Sequence, residues 1–180
     1  TEISTLSLHD ALPIWLLLVL VPRHPQRFAE VAGLVAGRGL ALCRRSSGSL
    51  PSGGTQVWLG DSMGEMAAYY ALADLALIGG TLLPFGGQNL IEAAACACPV
   101  LLGPHSFNFS QASDDAIACG AARRVANAGE AAAVAGELLR SRAQLLAMRA
   151  AATSFSQGHR GATARTLALI ERVMEPRKAH

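Results

Sequence analysis

Charge, aromatic side chains and long apolar runs are all scarce in this sequence, and each shortage excludes something. Charged residues are 16% and aromatics 5%, against 51% hydrophobic residues. That balance excludes a disordered chain and points to a buried sheet. Net charge is +2, too small to argue for nucleic acid or an anionic membrane surface as partner. Lysine is nearly absent (Lys178 alone), and arginine supplies the other basic side chains, a compositional bias from which no function is drawn. The longest apolar run, Ala11 to Val21, contains Pro13 and is followed by Arg23, His24 and Arg27. It falls short of the roughly 20 residues a spanning helix needs. Neither an initiator Met nor a signal-peptide pattern opens the chain.

Cys43, Cys96, Cys98 and Cys119 lie in apolar runs, so free buried thiols in a reduced compartment are expected. Cys96-x-Cys98 with His105 or Cys119 is a conceivable zinc set, but the usual C-x-x-C spacing is missing and no metal is expected. No D-x-D motif offers a metal site either; Asp114-Asp115 reads as a charged helix face. The G-x-G-x-x-G fingerprint does not follow the first strand, which argues against NAD or FAD. No Ser/His/Asp or Cys/His set can be assembled, and no acid and base carboxylate pair stands out. This suggests a domain that holds a donor while the catalytic base comes from elsewhere.

What is present is an alternation of apolar runs and helical patterns in 180 residues, enough for one domain. Ile14–Val21 reads as a strand covered on both faces. Residues 25–37 read as a helix, Leu40–Cys43 as a strand, Arg44–Thr55 as a loop and Gln56–Gly60 as a strand. Ser62 opens a helix running to about Ala73, and Asp74–Ile78 is a strand. A helix begins near Asn89, followed by a strand at Pro99–Leu102, a helix at Gln111–Ala118 and a strand at Ala122–Val125. From Gly129 the chain is helical almost to its end, interrupted near Gly158–Gly161. This order implies an α/β fold, a Rossmann-like doubly wound parallel sheet with ligands beyond the carboxyl ends of its strands. Residues 1–14 are left as an unassigned and foreign-looking tail, 15–173 as the domain, and 174–180 as a second tail.

Four segments at that edge carry candidate chemistry. In Pro22-Arg23-His24-Pro25-Gln26-Arg27, two prolines restrict the backbone beside Arg23, whose fork suits a phosphate. Solvated helix-start arginines are the alternative. Ser62-x-x-Glu65 has the form of a capping box, and with Gly64 it also suits close approach of a phosphate to backbone N–H groups. The densest segment runs from Gly79-Gly80-Thr81 through Gly86-Gly87-Gln88-Asn89-Leu90-Ile91-Glu92. Asn89 is placed to cap a helix, and Glu92 to accept the hydroxyls of a ribose. Gly103-Pro104-His105-Ser106-Phe107-Asn108-Phe109 adds polar His105 and Asn108 to a stiff loop. His159 and Arg160 have no assignable partner.

In order and spacing these four segments resemble the C-terminal half of 3-deoxy-D-manno-octulosonic acid (Kdo) transferase, over about Trp15 to Val173. The resemblance implies one half of a GT-B glycosyltransferase that uses CMP-Kdo as donor and a lipid A precursor as acceptor in lipopolysaccharide synthesis. It implies donor contacts at Pro22, Arg23, Met63, Gly64, Glu65, Asn89, Leu90, Ile91 and Glu92. His24, Gly80, Thr81, Gly87, Gln88, His105 and Asn108 are additional candidates. Neither a metal nor another cofactor is implied. Gln88 stands where the family usually has His, and Thr81 where it usually has Ser. The family's glutamate base, its acceptor domain and its contact with the cytoplasmic face of the inner membrane belong to an N-terminal half. They are therefore expected outside this chain, which by itself is expected to be soluble and inactive. Other readings of the same residues are a GT-B donor domain for a UDP- or GDP-sugar and a non-catalytic nucleotide-binding module.

Overall fold

A computed structural model describes residues 16–158 together with Leu167 and Ile170. The expected tails, His159, Arg160 and the expected interruption near Gly158–Gly161 lie largely or wholly outside the described residues. Among the described residues six strands are interleaved with helices, save that β2 and β3 are joined by a loop: β1 (Leu18–Leu20), α1 (Phe28–Ala36), β2 (Leu42–Arg44), β3 (Val57–Leu59), α2 (Met66–Leu72), β4 (Ala76–Leu77), α3 (Leu90–Ala95), β5 (Val100–Leu102), α4 (Ser110–Ala118), β6 (Ala122–Arg124), α5 (Ala128–Arg140) and α6 (Arg142–Gly158). Every strand pairing is parallel, as the alternation predicts. Among the described residues the strands form two three-stranded sheets, β1-β3-β2 and β4-β5-β6.

The second sheet is the better covered. Along β5, Val100 and Leu102 enter one core cluster with Ile78, Leu90, Ala93, Ala94 and Phe155, while Leu101 enters another with Val125, Leu138 and Met148. Successive side chains of a strand point to opposite faces, so β5 is covered on both. Each fully buried Leu or Val there contributes roughly 1.5–3 kcal/mol. Ala93 and Ala94 let α3 lie close in this core. Arg149 of α6 donates to Ala73 O at 3.0 Å and to Asp74 at 2.9 Å, fastening α6 to the start of β4.

Several expectations are corrected. The apolar run near residue 14 yields a short strand, Leu18–Leu20, and it is half-buried. It is an edge strand, bonded only to β3 among the described strands, whereas central β3 is buried throughout. The expected helix from residue 25 begins with a 3-10 turn at Pro25–Arg27. Ser62 does not open α2, which starts at Met66 with Glu65 at its N-cap and no side-chain capping bond. The Ser62 hydroxyl bonds the Glu65 carboxylate instead, and Gly64 turns the chain at φ +81°. The C-terminal helix breaks at Ser141, which has φ −111° and ψ 86° and accepts the Leu145 N–H at 3.1 Å as α6 begins. Serine is suited to such a position because its hydroxyl competes for nearby backbone donors. The four cysteines are free, but only Cys98 is buried, and its thiol is pushed up to about 11, chiefly by that burial.

Gly103, just after β5, fixes where the loop after β4 can run. A Cβ there would overlap the Thr81 carbonyl and meet Leu82 N at 2.6 Å. These are backbone atoms and cannot turn aside. Gly103→Ala should therefore cost about 1–3 kcal/mol of stability. Gly53→Ala, where nothing lies within 4 Å, should cost far less. Urea unfolding of both variants checks this, and equal midpoints would refute the close approach.

Candidate functional site

Parallel pairing brings the loops after β1, β2 and β3 to one edge of the first sheet, and those after β4, β5 and β6 to one edge of the second. Beyond β1, Arg23 and His24 are exposed, and Arg23 has no ion-pair partner among the described residues. Arg27 is spent on an exposed pair with Glu30 at 3.1 Å. Beyond β3, Met63 and Gly64 are exposed and Glu65 is half-buried. The Ser62 hydroxyl and the Arg45 guanidinium, 2.8 Å away, hold the Glu65 carboxyl below its usual range.

Asp61 organises this region, and the sequence reading gave it no role of its own. Its side chain is 1% exposed, yet it accepts bonds from Arg44 Nε at 2.7 Å, Ser46 N at 2.8 Å and Ser46 Oγ at 2.6 Å. Burial by itself pushes a carboxyl up; the Ser46 and Arg44 donors outweigh that and bring Asp61 down from 3.8 to about 2. The Ser- and Gly-rich segment after β2 is thus tied across to the turn after β3. The available signal was an acidic residue after one strand and an Arg-Arg-Ser run after another, which parallel pairing makes neighbours.

The second set of loops is fastened by backbone. The chain turns with positive φ at Gly80, Gly86 and Gly87, at +75°, +84° and +82°, as the glycine density predicts. Thr81 is buried: its hydroxyl donates to Ile78 O at 2.6 Å and accepts from Gly103 N at 2.9 Å, and its carbonyl accepts from His105 N at 2.9 Å. Thr81 therefore serves the frame of the loop. Asn108 is also occupied there, its N–H donating to Gly86 O at 3.1 Å and its side-chain amide to Phe85 O at 3.2 Å. Arg124 secures the same loop through Gly103 O at 3.1 Å and Ser106 Oγ at 3.3 Å. Gln88 and His105 are half-buried, and the Gln88 side chain has no hydrogen-bond partner among the described residues.

Asn89 caps α3 as expected, accepting the Ile91 N–H at 3.0 Å and donating to Glu92 at 3.1 Å. Leu90 is buried in the core, so only its backbone is free to meet a ligand. Ile91 is half-buried and packs against the core, while Glu92 is exposed. Helices α2 and α3, which carry Glu65 and Glu92 at their starts, pack on each other, and Cys96 Sγ lies 3.5 Å from Ala67 O. The Glu92 charge reaches Tyr70 of α2, whose hydroxyl is pushed up to about 12, mainly by burial and then by Glu92. The two sets of loops are therefore joined through this helix pair. A hollow of about 480 Å³ lined by Ile117, Arg123, Leu138, Gln144 and Met148 among others lies apart, and none of the candidate residues lines it. Among the described residues no three His, Cys, Asp or Glu side chains converge as metal ligands.

Comparison with known proteins adds close relatives. No family model matches the chain. It is 49% identical over 170 residues to 3-deoxy-D-manno-octulosonic acid transferase of Bordetella pertussis, covering 94% of this chain and 40% of that protein. The enzyme of the same name from Haemophilus influenzae is 49% identical over 96 residues, 53% of this chain and 22% of that protein. The chain thus spans about two fifths of the length of the Bordetella relative. Among solved structures it is similar to the C-terminal CMP-Kdo binding domain of WaaA from Acinetobacter baumannii. That match has a TM-score of 0.74 and 34% identity, and covers 77% of this chain and 72% of that one.

Asp61 yields a pH test. Its carboxyl is held below its ordinary value, so its contribution is complete above about pH 4 and is lost as pH falls through about 2. The shift from 3.8 to about 2 corresponds to about 2 kcal/mol. Asp61→Asn should be less stable by about that amount at pH 7, and the gap should close towards pH 2. Urea unfolding at several pH values measures it; a gap independent of pH would count against the ionised carboxylate.

Proposed function

This chain belongs to the 3-deoxy-D-manno-octulosonic acid (Kdo) transferase family, and we propose that it forms the part of such an enzyme that holds the sugar-nucleotide donor, CMP-Kdo. The observation that carries this reading is the likeness, at 34% identity and a TM-score of 0.74, to a CMP-Kdo binding domain. The local chemistry supports it. Arg23 stands exposed beyond β1 beside Pro22, with its guanidinium unspent. As the donor's anomeric C–O bond breaks, negative charge gathers on the departing CMP phosphate, which a guanidinium fork stabilises with two charge-assisted bonds. The Met63-Gly64-Glu65 turn offers an exposed backbone for close approach. Glu92 and the start of α3, with Asn89, Leu90 and Ile91, suit the ribose hydroxyls. Gln88 and His105 remain candidates for the sugar.

Transfer also requires a base to take the proton of the acceptor hydroxyl. At this edge Asp61 is committed to Arg44 and Ser46, and Glu65 to Ser62 and Arg45, while Glu92 accepts one bond from Asn89 and keeps acceptor sites for the ribose. From the family likeness, we place the base outside this chain. Recognition of the acceptor, a lipid A precursor, and contact with the cytoplasmic face of the inner membrane are placed there too. No helix among the described residues is long and apolar enough to cross a membrane.

Calorimetry should find that the chain binds CMP in preference to UDP and GDP. Binding of none, by a sample with the circular dichroism of a folded α/β protein, would defeat the reading. Arg23→Ala and Glu92→Ala should each weaken CMP binding by about 1.5–3 kcal/mol, the usual value of a hydrogen bond to a charged group, without unfolding the domain. The chain alone, mixed with CMP-Kdo and a lipid A precursor, should form no Kdo-lipid; product detected by mass spectrometry would place the base within it.

A further inference from the structure

Arg44, the last residue of β2, runs on into Arg45 and Ser46, and Asp61 grips the residues on either side of the middle one. Arg44 gives its Nε to that carboxylate, and Ser46 gives both its backbone N–H and its hydroxyl. Arg45 is left between two pinned neighbours, so its backbone is held while its side chain stays out of the Asp61 network. Its guanidinium lies against the turn after β3, with Nη2 donating to Glu65 Oε1 at 2.8 Å. The side chain is 43% exposed, and this is its one hydrogen bond among the described residues. A guanidinium has five N–H donors, so most of them stay available at that turn.

Charge balance bears on what those donors face. A sugar nucleotide with an acid sugar brings a phosphate and a carboxylate to an edge that already holds Glu65 and Glu92. Among the donor contacts that the family resemblance implies, Arg23 alone carries a permanent positive charge. A guanidinium bonded to Glu65 offsets that carboxylate and keeps further N–H groups unspent for an incoming anion.

We propose that Arg45, set in place by Asp61 and oriented by Glu65, is a binding residue for the phosphate of the nucleotide. This rests on the reading of the chain as a CMP-Kdo donor domain. Asp61 is then a positioning residue, acting through Arg45 without touching the ligand.

The experiment compares CMP with cytidine, which lacks the phosphate, on the full chain by ligand-observed NMR titration. Arg45→Ala should weaken CMP binding by about 10-fold or more, the low end for a lost bond to a charged group, and leave cytidine binding unchanged. Arg45→Gln, which keeps a donor for Glu65 and removes the charge, guards against a folding defect and should have the same selective effect. An equal loss for both ligands would mean that Arg45 only shapes the turn, and no loss for either would remove it from the site; each overturns the proposal. If the unaltered chain binds cytidine and CMP equally, no residue reads the phosphate and the proposal fails while nucleoside recognition stands. If it binds neither, the donor-domain reading itself fails.

Discussion

All strand pairings among the described residues run parallel, and that constraint decides where everything else must go. Parallel neighbours deliver their carboxyl ends, and the loops that follow, to one edge of each sheet. Six strands of two or three residues thus crowd several polar loops together. Backbone and side-chain polar groups in such a crowd must find partners, because an unmet buried donor or acceptor costs about as much as a lost hydrogen bond.

The two sheets meet this demand differently. In the first, one buried carboxylate, Asp61, gathers donors from the loop after the neighbouring strand, so order there depends on charge. In the second, Thr81 is a buried neutral hub and Gly103 permits direct backbone contact, so order depends on close packing. The difference suits the chemistry proposed for each side. In the proposed reading, cations held by counter-charges would face the phosphate, and a fixed glycine-lined frame with Gln88 and His105 would face the sugar. The pairing of α2 with α3 carries the two sides as one unit.

Much of this was legible in the residues. Asn89 with Glu92 reads as a helix start and is one, because an N-cap is a local device acting over a single turn. The glycine pairs read as positive-φ turns for the same local reason. Ser62-x-x-Glu65 has the same spacing and misleads. Arg45, from a loop distant in sequence, draws the Glu65 carboxylate, and Ser62 follows it instead of capping the backbone. Asn108 and Thr81 read as polar groups at a ligand edge, but their donors and acceptors are mostly absorbed by neighbouring loops. A residue's type tells what it can bond; only its neighbours decide whether that capacity is already taken.

The alternation of apolar runs and helical patterns, the capped glycine loop and the family likeness were determined by the sequence alone, since each rests on local spacing or on motif order. The tertiary structure decided which side chains are free. It drew Asp61 to the run Arg44-Arg45-Ser46 across β2 and β3, buried Thr81 beneath Gly103, and left Arg23 exposed. The physical reason is that a charge's role depends on what lies within a few ångströms of it. Across parallel strands those neighbours come from segments far apart along the chain.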